Sequence, residues 1–320
     1  MSTPPSTQSN IDLESKWRSL FSLPSSKLKS ELKKLDFSQV TPNNQNILHI
    51  ACIDSNKEAI NLILTLDLIE SKLNINLQDS ILAWSPLYYI INSCDNGQPD
   101  LCEQLIKSNA LVNIADSRGI TPLHLAVYKG QDDNCEYFIK QKANINAKDK
   151  HGRVPLVYAI IEGQTNCVQA LIDAGADLNA KDVNDDTLLH YAVGCKGNGL
   201  LYAGMLIEKG VDVNCKDKQG NTVLMVAAKK NPKENVRLIQ MLIEKGGNVE
   251  DVNNEGDCFY SLLGKEAVKN GFSSSNDKGN DIKEKEEEIR EGKGKVGIKD
   301  FVIFFLVPFI LLFMSNKLIK

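Results

Sequence analysis

The sequence is poor in the residues and motifs that carry catalysis, metal binding and redox chemistry. Only four histidines occur in 320 residues, and none of the eight cysteines forms a C-x-x-C pair, so zinc and thiol–disulfide spacings are absent. The signatures of serine hydrolases, zinc proteases, P-loop nucleotidases and kinases are missing as well. We therefore expect no enzyme activity, no bound metal and no cofactor.

An excess of positive charge is also absent, because the formal net charge is −4. A general nucleic-acid binder is normally basic, so we expect no nucleic-acid partner. The first residues lack an apolar run after basic residues, which excludes a secretory signal at this end. We expect the cysteines to be buried structural thiols in a reducing compartment, where they act as small hydrophobic residues.

The sequence does contain a repeat of fixed length. Residues 116–148 and 149–181 are two successive copies of 33 residues each, and a fixed period of this size is typical of stacked repeats. Each copy opens with turn residues, among which Gly119 can adopt a positive φ. Thr121 and Pro122 then begin a short helix, with proline at a first position where its missing N–H costs little.

Two short helices per repeat leave apolar faces uncovered. Leu123, Ala126 and Val127 form an apolar stripe on the first helix, and Cys135 and Phe138 belong to a similar stripe on the second. A pair of helices this short cannot bury both stripes by itself. Neighbouring repeats must therefore stack and cover them.

The run Thr121–Ala126 (TPLHLA), followed by Asn144–Asp149 (NINAKD), resembles the ankyrin repeat. The resemblance implies an all-α solenoid of helix-turn-helix units with hairpin fingers, and a role in binding other proteins. It also implies that His49, His124 and His190, which share one helix position, hydrogen-bond between loops and helices.

The pattern predicts the following organisation of the chain. We expect a disordered segment at 1–15, a helical cap at 16–42, repeats at 43–78, 79–115, 116–148, 149–181, 182–216 and 217–252, a partial repeat at 253–270 and a charged flexible tether at 271–299. We interpret the partial repeat as a C-terminal cap, because the end repeats of a solenoid need a polar outer face.

Residues 300–316 are predicted to form a transmembrane helix. Phe301–Met314 contains no charged residue; its helix would cover only about 21 Å of a hydrocarbon layer about 30 Å thick. Flanking lysines can extend the span by snorkelling. We expect a single-pass tail anchor with the repeats facing the cytosol, on the mitochondrial outer membrane or the endoplasmic reticulum. The alternatives are an interfacial segment, or a cytoplasmic protein whose apolar tail packs on the repeats or on a partner.

The resemblance also implies where a partner binds, because ankyrin repeats contact partners through finger tips and the exposed ends of first helices. The residues at those positions, expected on a concave face, are Arg118, Ile120, Tyr128, Lys129, Lys150, His151, Arg153, Ile161, Asn184, Asp186, Lys218, Asn221, Lys229 and Lys230. This set is more basic than the acidic chain as a whole. We therefore expect the partner to be an acidic peptide or protein surface.

The predicted function is a non-enzymatic adaptor, monomeric and held on a membrane, that recruits a protein partner. Two alternatives stay open at this point. One is a soluble ankyrin-type inhibitor or scaffold, and the other is a regulatory subunit of an enzyme.

Overall fold

The computed structural model describes residues 11–70, 72–93, 99–195, 198–230 and 235–263, with the side chains of 11, 12 and 67–70 excepted. The described residues are helical apart from turns, loops and isolated β-bridges. They form two compact units, one ending at Val183 and one beginning at Asn184. Each unit is described separately.

The first compact unit contains ten helices within its described ranges. They are α1 (Ile11–Phe21), α2 (Ser25–Leu32), α3 (Ile47–Ile53), α4 (Lys57–Glu70), α5 (Pro86–Ser93), α6 (Pro99–Lys107), α7 (Pro122–Tyr128), α8 (Asp132–Lys140), α9 (Pro155–Glu162) and α10 (Thr165–Asp173). The second compact unit contains α11 (Leu188–Gly194), α12 (Gly199–Glu208), α13 (Val223–Lys229), α14 (Val236–Glu244) and a helical stretch at 259–263.

The helices stack as repeated hairpins. In the first compact unit, the first helices α3, α5, α7 and α9 pack on one another in order, and the second helices α4, α6, α8 and α10 do the same. In the second compact unit, α11 packs on α13 and α12 packs on α14. This arrangement confirms the all-helical stacked fold, in which each repeat covers the apolar face of its neighbour.

The N-terminal helices α1 and α2 cover the first hairpin. They contact each other, and they pack on α3 and α4 respectively. Trp17, Leu28 and Leu32 are buried in this contact. Residues 11–15, which the sequence suggested were disordered, belong to α1, because the helix begins before Trp17 and carries it into the core.

The loops between repeats form fingers that are joined by backbone hydrogen bonds. One N–H of each finger donates to a carbonyl of the preceding finger, at 2.8–2.9 Å. The pairs are Ser80–Asn43, Ser117–Leu82, Lys150–Arg118 and Val183–His151 in the first compact unit, and Lys218–Asn184 and Asn254–Gln219 in the second. The expected hairpin fingers are therefore present, and Lys216–Thr222 and Val252–Cys258 also pair as antiparallel β-bridges.

Glycine is required where two fingers approach closely. Gly119 has φ +81°, and a Cβ built on it would lie 3.0 Å from the Cα of Asp149. Any other residue would have both backbone strain and a backbone clash. Gly152 has φ +76° and meets the next finger in the same way, 3.0 Å from the nitrogen of Val183.

The three repeat histidines join three of the six described first helices, α3, α7 and α11, to the following finger. Thr121 N–H donates to Nδ1 of His124 (3.2 Å), and His124 Nε2 lies 3.1 Å from the carbonyl oxygen of Arg153. A backbone N–H only donates and a carbonyl only accepts, so the neutral ring carries its proton on Nε2. His49 and His190 make the equivalent contacts with the carbonyls of Trp84 and Asn221. The predicted loop-to-helix role of these histidines is confirmed.

The predicted membrane span at 300–316 and the tether at 271–299 lie outside the described residues. Within the described ranges, no helix combines the length and the apolar character that crossing a bilayer requires.

The buried histidines predict a stability that falls in mild acid. Burial lowers the pKa of His49 and of His124 from 6.5 to about 4. Between these values the unfolded chain binds more protons than the folded one, so the free energy of unfolding falls as the pH drops from 6.5 towards 4. By pH 5 the loss is about 2 kcal/mol for each ring. Urea unfolding at pH 7.0, 6.0 and 5.0 measures it.

A matched pair of variants assigns this loss to the buried rings. The double change His49→Gln, His124→Gln removes the two titrating groups and should flatten the pH dependence, even if it lowers stability at pH 7. His151→Gln changes an exposed finger histidine and should keep the wild-type slope. An undiminished slope in the double variant would contradict the assignment.

Candidate protein-binding surface

An aspartate at the start of the fingers at 79, 116, 149, 182 and 217 organises the predicted contact surface. Asp149 accepts hydrogen bonds from the backbone N–H groups of His151 (2.8 Å) and Arg153 (2.9 Å). It also accepts from Nε of Arg153 (2.9 Å) and from the hydroxyl of Tyr158 (2.6 Å). Its side chain is only 1 % exposed, so this carboxylate is satisfied entirely by its own repeat.

Arg118 and Arg153 are neutralised by these finger aspartates. Arg118 pairs with Asp116 at 2.9 Å, and Arg153 pairs with Asp149 at 2.8 Å. The Arg153 guanidinium also lies 4.9 Å from the ring centroid of Tyr158. Both arginines were predicted to meet a partner. Arg153 is instead mostly enclosed, with 28 % of its side chain exposed, whereas 59 % of Arg118 faces solvent.

The titration of this cluster follows from its contacts. Burial by itself would raise the pKa of Asp149, but the Tyr158 hydroxyl, the Arg153 N–H and the guanidinium together lower it. Burial, followed by the hydrogen bond to the Asp149 carboxylate, raises the pKa of Tyr158. Asp149 is therefore a stable anion and Tyr158 a neutral donor, an arrangement that maintains the finger and leaves no group poised for catalysis.

Two predicted contact residues are buried, so the expectation that they are exposed is wrong. Ile120 is 8 % exposed and Asn221 is 5 % exposed. The backbone N–H of Ile120 also donates to Asp116 (2.9 Å). The side-chain amide of Asn221 donates to Asp217 (2.9 Å), and the backbone carbonyl of Asn221 accepts from Nε2 of His190. Both belong to the base of a finger, where the chain turns inward to begin the first helix.

Two predicted lysines are half-buried and make contacts within the fold. Lys129 Nζ donates to the backbone carbonyl of Asn92 (2.6 Å), in the preceding repeat. Lys229 Nζ donates to Oδ1 of Asn221 (2.9 Å). These hydrogen bonds hold both ammonium groups against their own compact units, so the two lysines are less available to contact a partner.

The remaining predicted residues are at the surface, in two separate sets. In the first compact unit, Tyr128 is 52 % and Ile161 37 % exposed, and Lys150 and His151 are exposed at one finger tip. In the second compact unit, the exposed or half-exposed members are Asn184, Asp186, Lys218 and Lys230. The first set combines apolar anchors with charge and is the stronger candidate for protein recognition.

One apolar finger tip was missed by the sequence analysis. Ile81 is 61 % and Leu82 36 % exposed. The available signal was the comparison between fingers, because the equivalent tip in the next repeat carries Ser117 and Arg118. Exposed aliphatic side chains at a turn do not stabilise the core, and groups of them are common where partners bind.

One group of side chains has the geometry of a metal site in the described residues. The ligand atoms of Asp186, His190 and Asp217 lie within 4.8 Å of one another. Both ring nitrogens of His190 are already used, Nδ1 by Thr187 and Nε2 by the Asn221 carbonyl. Coordination would break the bond that joins the first helix to the next finger, so the structural role accounts for this cluster.

The Tyr158 hydroxyl predicts a measurable contribution to stability. Tyr158→Phe removes the donor to the buried Asp149 carboxylate and should lower the free energy of unfolding by about 1–3 kcal/mol. Tyr128→Phe is the matched control, because Tyr128 is an exposed tyrosine in the neighbouring repeat. Urea titration of both variants tests this, and equal stabilities would show that the Asp149 cluster contributes nothing.

Comparisons with known proteins give the following matches. A family model described as ankyrin repeats (3 copies) matches residues 87–182 and 148–217, and one described as ankyrin repeats (many copies) matches 194–243. No curated protein matches the chain significantly. Among solved structures, the crystal structure of the ankyrin repeat domain of Bcl-3, a unique member of the IkappaB protein family, is 22 % identical. It covers 67 % of this chain and 92 % of its own, with a TM-score of 0.57. At this identity the likeness shows the fold.

Proposed function

Because this chain carries ankyrin repeats, we propose that it is a non-enzymatic adaptor that binds a protein partner through its fingers and the ends of its first helices. The observation that carries the proposal is the exposure of Tyr128 and Ile161. Both residues occupy the same position in neighbouring repeats, at the ends of α7 and α9, which pack on each other.

Tyr128 and Ile161 are suited to be anchors of the contact. The Tyr128 ring meets the Tyr158 ring edge to face, with centroids 6.4 Å apart, so its orientation is partly set before a partner arrives. An ordered aromatic side chain loses little conformational entropy on binding. Tyrosine is also enriched among residues that dominate binding energy.

The charges around these anchors favour an acidic partner. Lys148, Lys150 and Lys181 are exposed at the fingers and outnumber Glu162, the exposed acid beside Ile161, whereas α8 exposes Asp133 and Glu136 on the second-helix side. Because Arg118 and Arg153 are paired with buried aspartates, the positive charge that a partner can meet at the fingers comes mainly from the lysines. A partner with acidic residues and at least one apolar side chain fits this surface, because complementary charge steers association.

The double change Tyr128→Ala, Ile161→Ala should weaken partner capture about tenfold or more, since truncating one anchor typically costs over 1 kcal/mol. The immobilised full chain and the variant are compared in quantitative mass spectrometry of captured proteins. Leu111→Ala is the control, because Leu111 is 56 % exposed in a different part of the same compact unit.

The expected partners are proteins that bind the wild type and the Leu111→Ala control but do not bind the double variant. Lys150→Glu should then weaken the same proteins and make their binding less sensitive to salt. Capture that is equal for all variants would show that this surface is not the binding site.

We further propose that the repeats are tethered to a membrane by Phe301–Met314. The segment is uncharged, and Lys299 and Lys317 flank it, so lysine snorkelling compensates for its short length. A cytosol-facing domain on the mitochondrial outer membrane or the endoplasmic reticulum is the localisation that this tether supports.

A comparison of the full chain with a form ending at Lys299 tests the tether. The full chain should stay in the membrane pellet after extraction with alkaline carbonate, and the shortened form should move to the supernatant. Both forms should keep the Tyr128-dependent partners, because the surface lies far along the chain from the tail. A full chain that carbonate extracts completely would remove the tether from the proposal.

The second candidate function is a soluble ankyrin-type inhibitor or scaffold whose apolar tail packs on protein. The described fold resembles the ankyrin repeat domain of Bcl-3, which is described as a member of the IkappaB protein family. A specific feature of α12, the exposure of two adjacent leucines, favours protein packing for the tail.

A further inference from the structure

Helix α12 exposes apolar residues where the other second helices expose polar ones. Leu200 is 39 % and Leu201 50 % exposed on this helix, and its sequence, GLLYAGMLIE, has no charge before Glu208. A helix that is apolar on all sides is normally covered on all sides. The part of the second compact unit that the structure describes leaves this side of α12 uncovered.

Because the repeats align residue by residue, each position on α12 can be compared with the equivalent position on the other second helices. Ala203 of α12 corresponds to Cys102, Cys135, Val168 and Ile239 of the other second helices. The residues equivalent to Leu201 are Asp100, Asp133, Asn166 and Arg237, and those equivalent to Gly204 are Glu103, Glu136, Gln169 and Gln240. Both positions are polar in four helices and apolar only in α12.

Gly204 gives a second, independent indication that another segment packs here. Its φ is not positive, and a Cβ built on it would approach only the sulfur of Met241, at 4.0 Å. Nothing inside the fold therefore requires glycine. A helix-interior glycine costs about 1 kcal/mol relative to alanine, and a bare backbone on an outer face allows another chain to approach closely.

We propose that Leu200, Leu201 and Gly204, here called the α12 face, are the docking site for residues 301–314 of the same chain when no membrane is present. The segment is uncharged over 14 residues, which matches an apolar face that carries no ion-pair partner. The inference rests on the proposed tether and adds a regulation, because the segment would leave α12 when it enters a bilayer.

The length of the intervening chain allows this contact. The structure describes the second compact unit up to residue 263, and 37 residues, 264–300, separate it from the segment. A chain of 37 residues reaches at most about 120–130 Å when fully extended. Two helix-packing steps from α12 to the last described repeat amount to about 20 Å. The segment is therefore within reach of this face, and its docking is intramolecular, which favours it over a second copy at low protein concentration.

Photo-cross-linking of the purified full chain in the absence of membranes tests the proposal. A benzophenone amino acid at position 201 should give a product of monomer mass that joins residue 201 to a peptide from 301–314. Mixed light and heavy isotope-labelled chains distinguish cross-links within a chain from those between chains. The same label at position 111, which is 56 % exposed in the first compact unit, should give no such product.

Gly204→Leu fills the α12 face without displacing a neighbour, since only Met241 lies within 4 Å of the new Cβ. It should reduce the product at least fivefold and leave the circular dichroism spectrum and the unfolding midpoint of the Lys299-truncated chain unchanged or raised. An unchanged yield in a folded Gly204→Leu variant would refute docking at this face.

The remaining outcomes also decide between occupants. A product of dimer mass with mixed isotopes would assign the face to a second copy, and a yield equal to the position 111 control would leave the face without an internal occupant; either result overturns the proposal. A chain that resists carbonate extraction but gives no internal product keeps the tether and loses the docking site. A chain that gives the product but never pellets keeps the docking site and loses the tether.

Discussion

The hydrogen bonds between consecutive repeats are the interaction on which the described structure depends, and three of the six described first helices make them through a histidine. Each ring accepts from the backbone N–H before its helix and contacts a carbonyl of the next finger. One neutral side chain thus satisfies a helix start and holds the neighbouring repeat at a defined spacing. Short helical hairpins have no core of their own, so this link between consecutive repeats, together with apolar stacking, maintains the fold.

The finger aspartates place a second constraint on function. Each buried carboxylate accepts hydrogen bonds from backbone N–H groups and, where an arginine is nearby, from its guanidinium. The arginines therefore stabilise fingers. In the proposed contact, Tyr128 and Ile161 would supply apolar area and the exposed finger lysines would supply charge, a combination that suits a protein partner.

The same reasoning makes α12 notable. Solvent-facing positions of the second helices are polar wherever water is their only contact, as in α8 and α10. Leu201 and Gly204 break that rule without any benefit to the packing of α12 against α14. In the proposed docking, the apolar tail segment would cover the apolar face of α12, and a bilayer would compete for the same segment.

The sequence alone determined the repeat and the helical hairpins, because these are local patterns, and its resemblance to the ankyrin repeat implied the role of the three repeat histidines. It also indicated which positions belong to fingers and first-helix ends. Only the tertiary structure decided which of those positions face water. Ile120 and Asn221 are buried and Arg118 and Arg153 are paired with aspartates, because burial and charge pairing depend on how each finger folds back on its base and on the neighbouring repeat. The position of a residue in the repeat motif specifies neither its burial nor its charge pairing.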